Sequence, residues 1–208
     1  MSNKWSFYVS GLCFGKLEIE EGNIYHCPYD VYTGTFLEKE LLTPEFSMYQ
    51  EMGKMNVLEA LERIEEFEIG AAEGTDKFTT ASGQIYTKRC EGEYVQRIVK
   101  FPKDIMTDGG KVFAIITPWR DQCAILVKEG FEDRTILKTW KEKYQEPLWN
   151  IHPKETHMVA MRDGVRLATD VYLPDCEGKV PAVLIRTPYG KNVGPSMYFK
   201  YVRRGYAV

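Results

Sequence analysis

Two runs near the end of this 208-residue chain join residues that can do chemistry to residues that would hold them still. The first is Met161-Arg-Asp-Gly-Val-Arg-Leu-Ala-Thr-Asp-Val-Tyr-Leu-Pro174, and the second is Pro181-Ala-Val-Leu-Ile-Arg-Thr-Pro-Tyr-Gly-Lys191. In the second, Pro188 forces Thr187 into extended backbone and has no N–H to give a sheet, so a strand entering the run ends there. Tyr189 then stands just past the carboxyl end of that strand, where open α/β sheets bind ligands. Its phenol offers a hydrogen-bond donor at that point. As one of thirteen tyrosines, Tyr189 also has the plain reading of core or surface filler.

No nucleophile accompanies it. The 208 residues hold no Gly-x-Ser-x-Gly elbow: Ser10 and Ser82 each precede a glycine, but neither has Gly two positions before it. His157 falls on a predicted strand and reads as structural, as do His26 and His152. Asp163 reads as a turn former and Asp170 as an exposed strand residue. Cys13, Cys27, Cys90, Cys123 and Cys176 are odd in number, widely spaced and without a Cys-x-x-Cys pair. That pattern excludes a disulfide framework or zinc site and predicts buried, reduced thiols of a cytoplasmic protein. Five glutamates between 59 and 68 could hold a cation, but a solvated helix face is the simpler account. Neither a metal nor a cofactor is expected.

The elements that must position Tyr189 are legible around it. His157 to Arg162 and Val165 to Leu173 read as strands joined by Asp163-Gly164, the pair that type I′ hairpins prefer. Val165, Leu167, Thr169, Val171 and Leu173 share one face, with Arg166, Asp170 and Tyr172 on the other. Ala182 to Ile185 is a continuous apolar run, as a central strand covered on both sides requires. A helix follows, with Pro195 at its first position, Arg203 and Arg204 near its C-terminus and Gly205 beyond it. Tyr206 to Val208 starts another strand, so strand, helix and strand form the beginning of a right-handed crossover.

Residues 1–153 read as a separate β-rich α+β domain. One helix is predicted near 56–69: Asn56 with Glu59 is a capping-box spacing, Val57, Leu58, Leu61 and Ile64 form a stripe, and Gly70 is the stop. Strands over 84–90, 94–101, 111–117 and 123–128, bounded by turn residues, predict an antiparallel meander or small barrel. Residues 132–145, with Ile136, Leu137, Trp140 and Tyr144, suit a helix or a strand. Pro28, Gly34 and Pro44 punctuate a loop-rich stretch. Residues 145–155 read as a connector that packs through Trp149 and Ile151.

The C-terminal quarter resembles the serine-hydrolase family of X-Pro dipeptidyl-peptidases, cocaine esterase and α-amino-acid ester hydrolases. The family pattern Arg-Asp-Gly-x-x-Leu-x-x-Asp-x-Tyr-x-Pro is matched at 162–174, Arg-x-Pro-Tyr-x-Lys at 186–191, and Arg-Gly-Tyr-Ala-Val at 204–208. The resemblance spans roughly residues 155–208 and implies an α/β-hydrolase fold over 154–208. It also implies that Tyr189 is one of two oxyanion-hole donors, and that the serine, aspartate and histidine lie beyond Val208. The expected substrate is a small acyl compound or peptide, and the chain alone is expected to be an inactive N-terminal portion of the enzyme.

Composition narrows the rest. A net charge of -3, 44% hydrophobic and 27% charged residues describe an ordinary globular chain without the basic footprint of a nucleic-acid binder. No run of eighteen apolar residues exists to cross a membrane, and the aromatic opening around Phe7 to Phe14 reads as strand rather than signal peptide. Aromatic content of 13% also fits a different role for residues 1–150, as a non-catalytic binding module or a surface for homo-oligomers.

Overall fold

A computed structural model describes residues 3–43, 57–72, 74–96, 102–119, 122–143, 148–188, 190–191 and 196–208. The chain divides into two compact units, Met1–Tyr29 with Phe36–Tyr144 and Asp30–Thr35 with Gln145–Val208.

The first unit is β-rich. Its strands are Lys4–Val9 (β1), Leu12–Glu20 (β2), Asn23–Asp30 (β3), Thr35–Phe36 (β4), Glu40–Leu41 (β5), Lys77–Thr79 (β6), Ile85–Cys90 (β7), Glu93–Gln96 (β8), Lys103–Asp108 (β9), Lys111–Trp119 (β10) and Gln122–Lys128 (β11). They lie in the order β4-β3-β2-β1-β11-β10-β9-β8-β7-β6, with β5 also on β3. Two meanders are thus joined where β1 pairs antiparallel with β11, Phe7 opposite Leu126. The meander expected from the turn spacing is present and runs as an open sheet.

Both faces of the sheet centre are covered, which explains the unbroken apolar runs in β10 and β11. On one face the register aligns Phe7, Leu126, Ile115, Ile105 and Tyr94 across five strands. On the other, Ile125, Val127, Ala114 and Phe113 pack with Leu137. Leu137 belongs to a helix over Ile136–Lys143 (α3), preceded by a 3-10 turn over Glu132–Arg134, so the described part of 132–145 is helical and not a strand. Thr135 starts it by accepting the Leu137 N–H at 3.2 Å. Tyr144 lies outside the described residues.

The single helix expected near 56–69 is two segments, Val57–Glu62 (α1) and Ile64–Ala72 (α2). Backbone bonds Arg63 N–H to Glu59 O (3.2 Å) and Phe67 N–H to Arg63 O (3.1 Å) carry the chain through the break. The proposed cap Asn56 lies outside the described residues. Gly70 does not stop the helix. It is there because a Cβ would stand 2.6 Å from Phe78 Cγ, and Phe78 is locked against Tyr86 (centroids 5.3 Å) and Tyr94 (5.1 Å). The acidic face is only partly solvated. Glu66 accepts the Ala81 N–H, while Glu68 accepts the Val112 N–H at 3.1 Å and pairs with Lys111 at 2.6 Å, tying α2 to the sheet.

One strand escapes a sequence reading, and another runs on through a stretch read as loop. β9 begins Lys-Asp and carries no alternation, yet Asp104 is 9% exposed because the strand lies in the sheet interior. β3 passes through Pro28, which takes the place opposite Gly15 and still accepts the Leu37 N–H at 2.8 Å.

In the second unit, Glu155–Ala160 (β12) and Arg166–Val171 (β13) form an antiparallel hairpin with Thr156 opposite Asp170. Its turn is not type I′. Gly164 has φ +83, Asp163 has no positive φ, and Gly164 N–H reaches Met161 O at 3.1 Å. Those bonds describe a three-residue loop, a tight turn followed by a left-handed glycine. The connector packs as expected: Ile151 is 1% exposed and bridges Pro174, and Trp149 N–H donates to Arg203 O.

The predicted helix is present over Ser196–Val202 (α4), but the strands expected over Ala182 to Ile185 and from Tyr206 are reduced to one isolated parallel bridge. Ala182 bridges Ala207 in parallel, and Val183 N–H donates to Ala207 O at 2.8 Å. Tyr172 and Val208 exchange both backbone bonds, at 2.8 and 3.0 Å. The last residues therefore lie between two backbone partners. Tyr32, Tyr172 and Phe199 make edge contacts beneath α4. The described residues do not cover Ala182 to Ile185 on both faces as expected: Leu184 is 81% exposed.

Gly70→Ala tests the packing account of α2. Alanine gains about 1 kcal/mol in helix propensity, while overpacking a ring held on two sides costs roughly 1–3 kcal/mol. Urea unfolding is expected to show a net loss of stability; a gain would mean that Phe78 yields freely.

Candidate functional site

The site is built where the second apolar run ends. Residues 182–183 run parallel to Ala207, and Val208 runs antiparallel to Tyr172. Stepping back from Tyr172 to Asp170 therefore moves the same way as stepping forward from Val183 toward Thr187. Asp170 stands on the side of the sheet toward which the run's carboxyl end points. Tyr189 itself lies outside the described residues; its neighbours Pro188 and Gly190 are described. Gly190 has φ +88, a left-handed turn that L side chains rarely adopt, immediately before Lys191.

Lys191 folds back to Asp170, and this pair was not legible in the sequence. The Asp170 side chain is 5% exposed, not the exposed strand residue that alternation suggests. Its Oδ1 accepts from Lys191 Nζ and, at 2.7 Å, from Thr156 Oγ1; Lys154 Nζ lies 3.3 Å from Oδ2. Burial alone would push the carboxyl up, but hydrogen bonds from Lys191, Thr156 and Lys154 outweigh it and hold Asp170 at about 2. A carboxylate so surrounded stays ionised at neutral pH and serves as an anchor, not as a proton-transfer group. The two-residue loop expected at Asp163-Gly164 would have set His157 opposite Asp170; the three-residue loop shifts the register by one and brings Thr156 there. The two lysines, sixteen and twenty-one residues from Asp170, carry no local signal.

The other candidates are not gathered here. His157 Nε2 lies 2.9 Å from Glu155 and His152 Nε2 3.4 Å from Asp175, both with side chains more than half exposed. Each faces a carboxylate, not a hydroxyl or thiol. His26 belongs to the other unit, buried with its Nε2 3.2 Å from Glu40, and burial pushes its pKa down. Asp163 caps its turn by accepting the Val165 N–H at 3.1 Å.

The thiols are less buried than expected. Cys90 is exposed and donates to Glu93 at 3.3 Å, and the other four are intermediate. Burial, then the Asp104 charge, pushes Cys123 up to about 11. An activated thiol needs the opposite shift. Among the described residues no group of three or more His, Cys, Asp or Glu could hold a metal ion, and no helix is long and apolar enough to cross a membrane.

The Asp170 cluster predicts an acid signature. Its carboxyl sits at about 2 in the fold against an ordinary 3.8, so its ionisation stabilises the fold above pH 3.8 and that contribution fades as pH falls to about 2. Asp170→Asn is expected to speed amide exchange in β12 and β13 near neutral pH, with the difference from wild type closing toward pH 2. A difference independent of pH would contradict the assignment.

Residues 163–208 match the family described as X-Pro dipeptidyl-peptidase (S15 family). Cocaine esterase of Rhodococcus sp. (strain MB1 Bresler) is 49% identical over 57 residues, which cover 24% of this chain and 10% of that protein. The chain thus spans about a tenth of the relative's length. No solved structure gives a significant match. The C-terminal segment is related to a family of esterases and peptidases, and the resemblance is confined to that segment.

Proposed function

We propose that residues 154–208 open an α/β-hydrolase domain, following a β-rich N-terminal domain over 1–153. On this reading the protein that carries them is a serine hydrolase cleaving an ester or amide, X-Pro peptides included, through an acyl-enzyme. The observation that carries the proposal is the coincidence of the family match with the pairing of 182–183, 207–208 and 172. A parallel step across α4 next to an antiparallel hairpin supports a mixed sheet with ligands at its carboxyl edge.

In that setting Tyr189 supplies one of two oxyanion donors, beside a backbone N–H after the nucleophile. As the substrate carbonyl becomes tetrahedral its oxygen gains charge, and a fixed phenol O–H stabilises that charge more than it stabilises the ground state. Serine, histidine and acid would come from outside these 208 residues. The chain alone is then expected to leave p-nitrophenyl acetate at its background hydrolysis rate. A burst of one equivalent per chain would overturn this.

In a protein that includes the nucleophile, Tyr189→Phe is expected to lower kcat by roughly 100- to 1,000-fold with KM little changed. An unchanged kcat would remove Tyr189 from the chemistry. A non-catalytic role for residues 1–153, in binding or homo-oligomerisation, is favoured by a sheet with its own core and by a family match that leaves those residues out. Sedimentation of the 208-residue chain tests oligomerisation: a strict monomer at every concentration would exclude it.

A further inference from the structure

We propose that the outer edge of the first unit's sheet, residues 36–42, is an interface at which two copies of this chain pair antiparallel about a twofold axis between Glu38 and Lys39; this rests on the reading of residues 1–153 as an oligomerisation module. Among the described residues β4 and β5 end the sheet, both lying on β3. Residues 36–41 are all exposed, and three of the six are large and apolar: Phe36 is 42% exposed, Leu37 and Leu41 51% each. An apolar edge strand in water is a template for another strand, and proteins that stay monomeric blunt it. The one lysine on this edge does not shield it. Lys39 lies back over the sheet, its Nζ 3.1 Å from Glu18, 2.8 Å from Glu20 and 4.9 Å from the Tyr25 ring centre.

The backbone decides which groups a second strand would meet. Leu37 N–H donates to Pro28 O and Leu42 N–H to Ile24 O, each at 2.8 Å. Successive residues of a strand turn their N–H and C=O to opposite sides, so Phe36 and Leu41 turn theirs away from β3. With the axis between Glu38 and Lys39, Phe36 comes opposite Leu41 of the other copy, and the two can exchange both backbone bonds, once at each end of the junction. The side chains agree with this register. Phe36 packs on Tyr29 (ring centroids 5.2 Å) and Leu41 stands opposite Tyr25, so both project from one face and meet across the junction. Glu38, which makes no ion pair among the described residues, comes opposite Lys39. β3 takes two steps from Pro28 to His26 while the edge takes three from Leu37 to Glu40, a bulge that bends the edge. A straight peptide strand would not follow that bend, whereas a second copy carries the same bulge at the same point of the axis.

The test is sedimentation equilibrium of the 208-residue chain. Its mass is expected to rise with concentration from that of one chain to that of two and no further, since a twofold junction closes on itself. Leu41→Pro removes an outward N–H and leaves the bonds to β3 in place. Glu38→Lys sets lysine opposite lysine at the axis without touching a contact inside the chain, and guards against a folding defect in the proline variant. Each is expected to raise the dissociation constant roughly tenfold or more.

A cross-link reads the register itself. Leu37 falls opposite Glu40 of the other copy as a pair without mutual backbone bonds, where Cα atoms stand about 4.5 Å apart and a disulfide can close. Leu37→Cys chains mixed with Glu40→Cys chains should therefore give a disulfide-linked dimer on mild oxidation that neither variant gives alone. Association that ignores both Leu41→Pro and Glu38→Lys, with no cross-link specific to the mixture, would overturn the edge interface and leave oligomerisation standing by another surface. A strict monomer would overturn both.

Discussion

A carboxylate withdrawn from water must be paired, and that constraint shapes the part of this chain most relevant to function. Asp170 has 5% of its side chain exposed and is met by two ammonium groups and a hydroxyl. Leaving such a charge unpartnered would cost more than the hairpin's few exposed apolar contacts could return. The partners come from before β12, from β12 itself and from beyond the second apolar run. Satisfying one charge therefore brings together segments that sequence distance keeps apart. Backbone pairing of Tyr172 with Val208 and of Ala182 with Ala207 then sets their direction.

The first unit depends on a different closure. β1 can meet β11 only by bridging more than a hundred residues, a costly loop repaid by a seam in which Phe7, Ile125 and Leu126 are fully buried. Its charges also meet across the fold: Glu18 lies between Lys4 (2.8 Å) and Lys39 (3.1 Å), and those lysines hold its carboxyl down to about 2. Helix α2 is fastened by Glu68 and by the close approach of Gly70 to Phe78. None of these contacts resembles a catalytic arrangement, in keeping with a family resemblance that begins only at residue 163.

What could be read from sequence follows from the range of each interaction. β10 and β11 were legible because apolar runs bounded by turn residues are local signals, β7 because turn residues bound it, and α3 because Leu137 and Trp140 share a face. Gly70 was misread as a stop, since a glycine kept for packing looks the same as one kept for backbone conformation. Asp163-Gly164 was correctly a turn, but the turn type depends on how many residues the strands leave unpaired. At the site, Tyr189 stays an expectation drawn from Pro188 and from the resemblance, since it lies outside the described residues. The Asp170 cluster was not legible, because Asp170 and its lysines meet only in three dimensions. Buried Asp170 sits at a position that simple alternation assigns to solvent.

The central claim is geometric: a phenol aimed at the oxygen that becomes an alkoxide. The most direct measurement is a crystal structure of a protein that contains these residues and the nucleophile, trapped as its fluorophosphonate adduct, whose phosphonyl oxygen stands in for the oxyanion. The account predicts Tyr189 Oη about 2.7–3.1 Å from that oxygen, the distance at which such donors act. An adduct whose oxygen is held by other donors, with the Tyr189 phenol turned away, would contradict it.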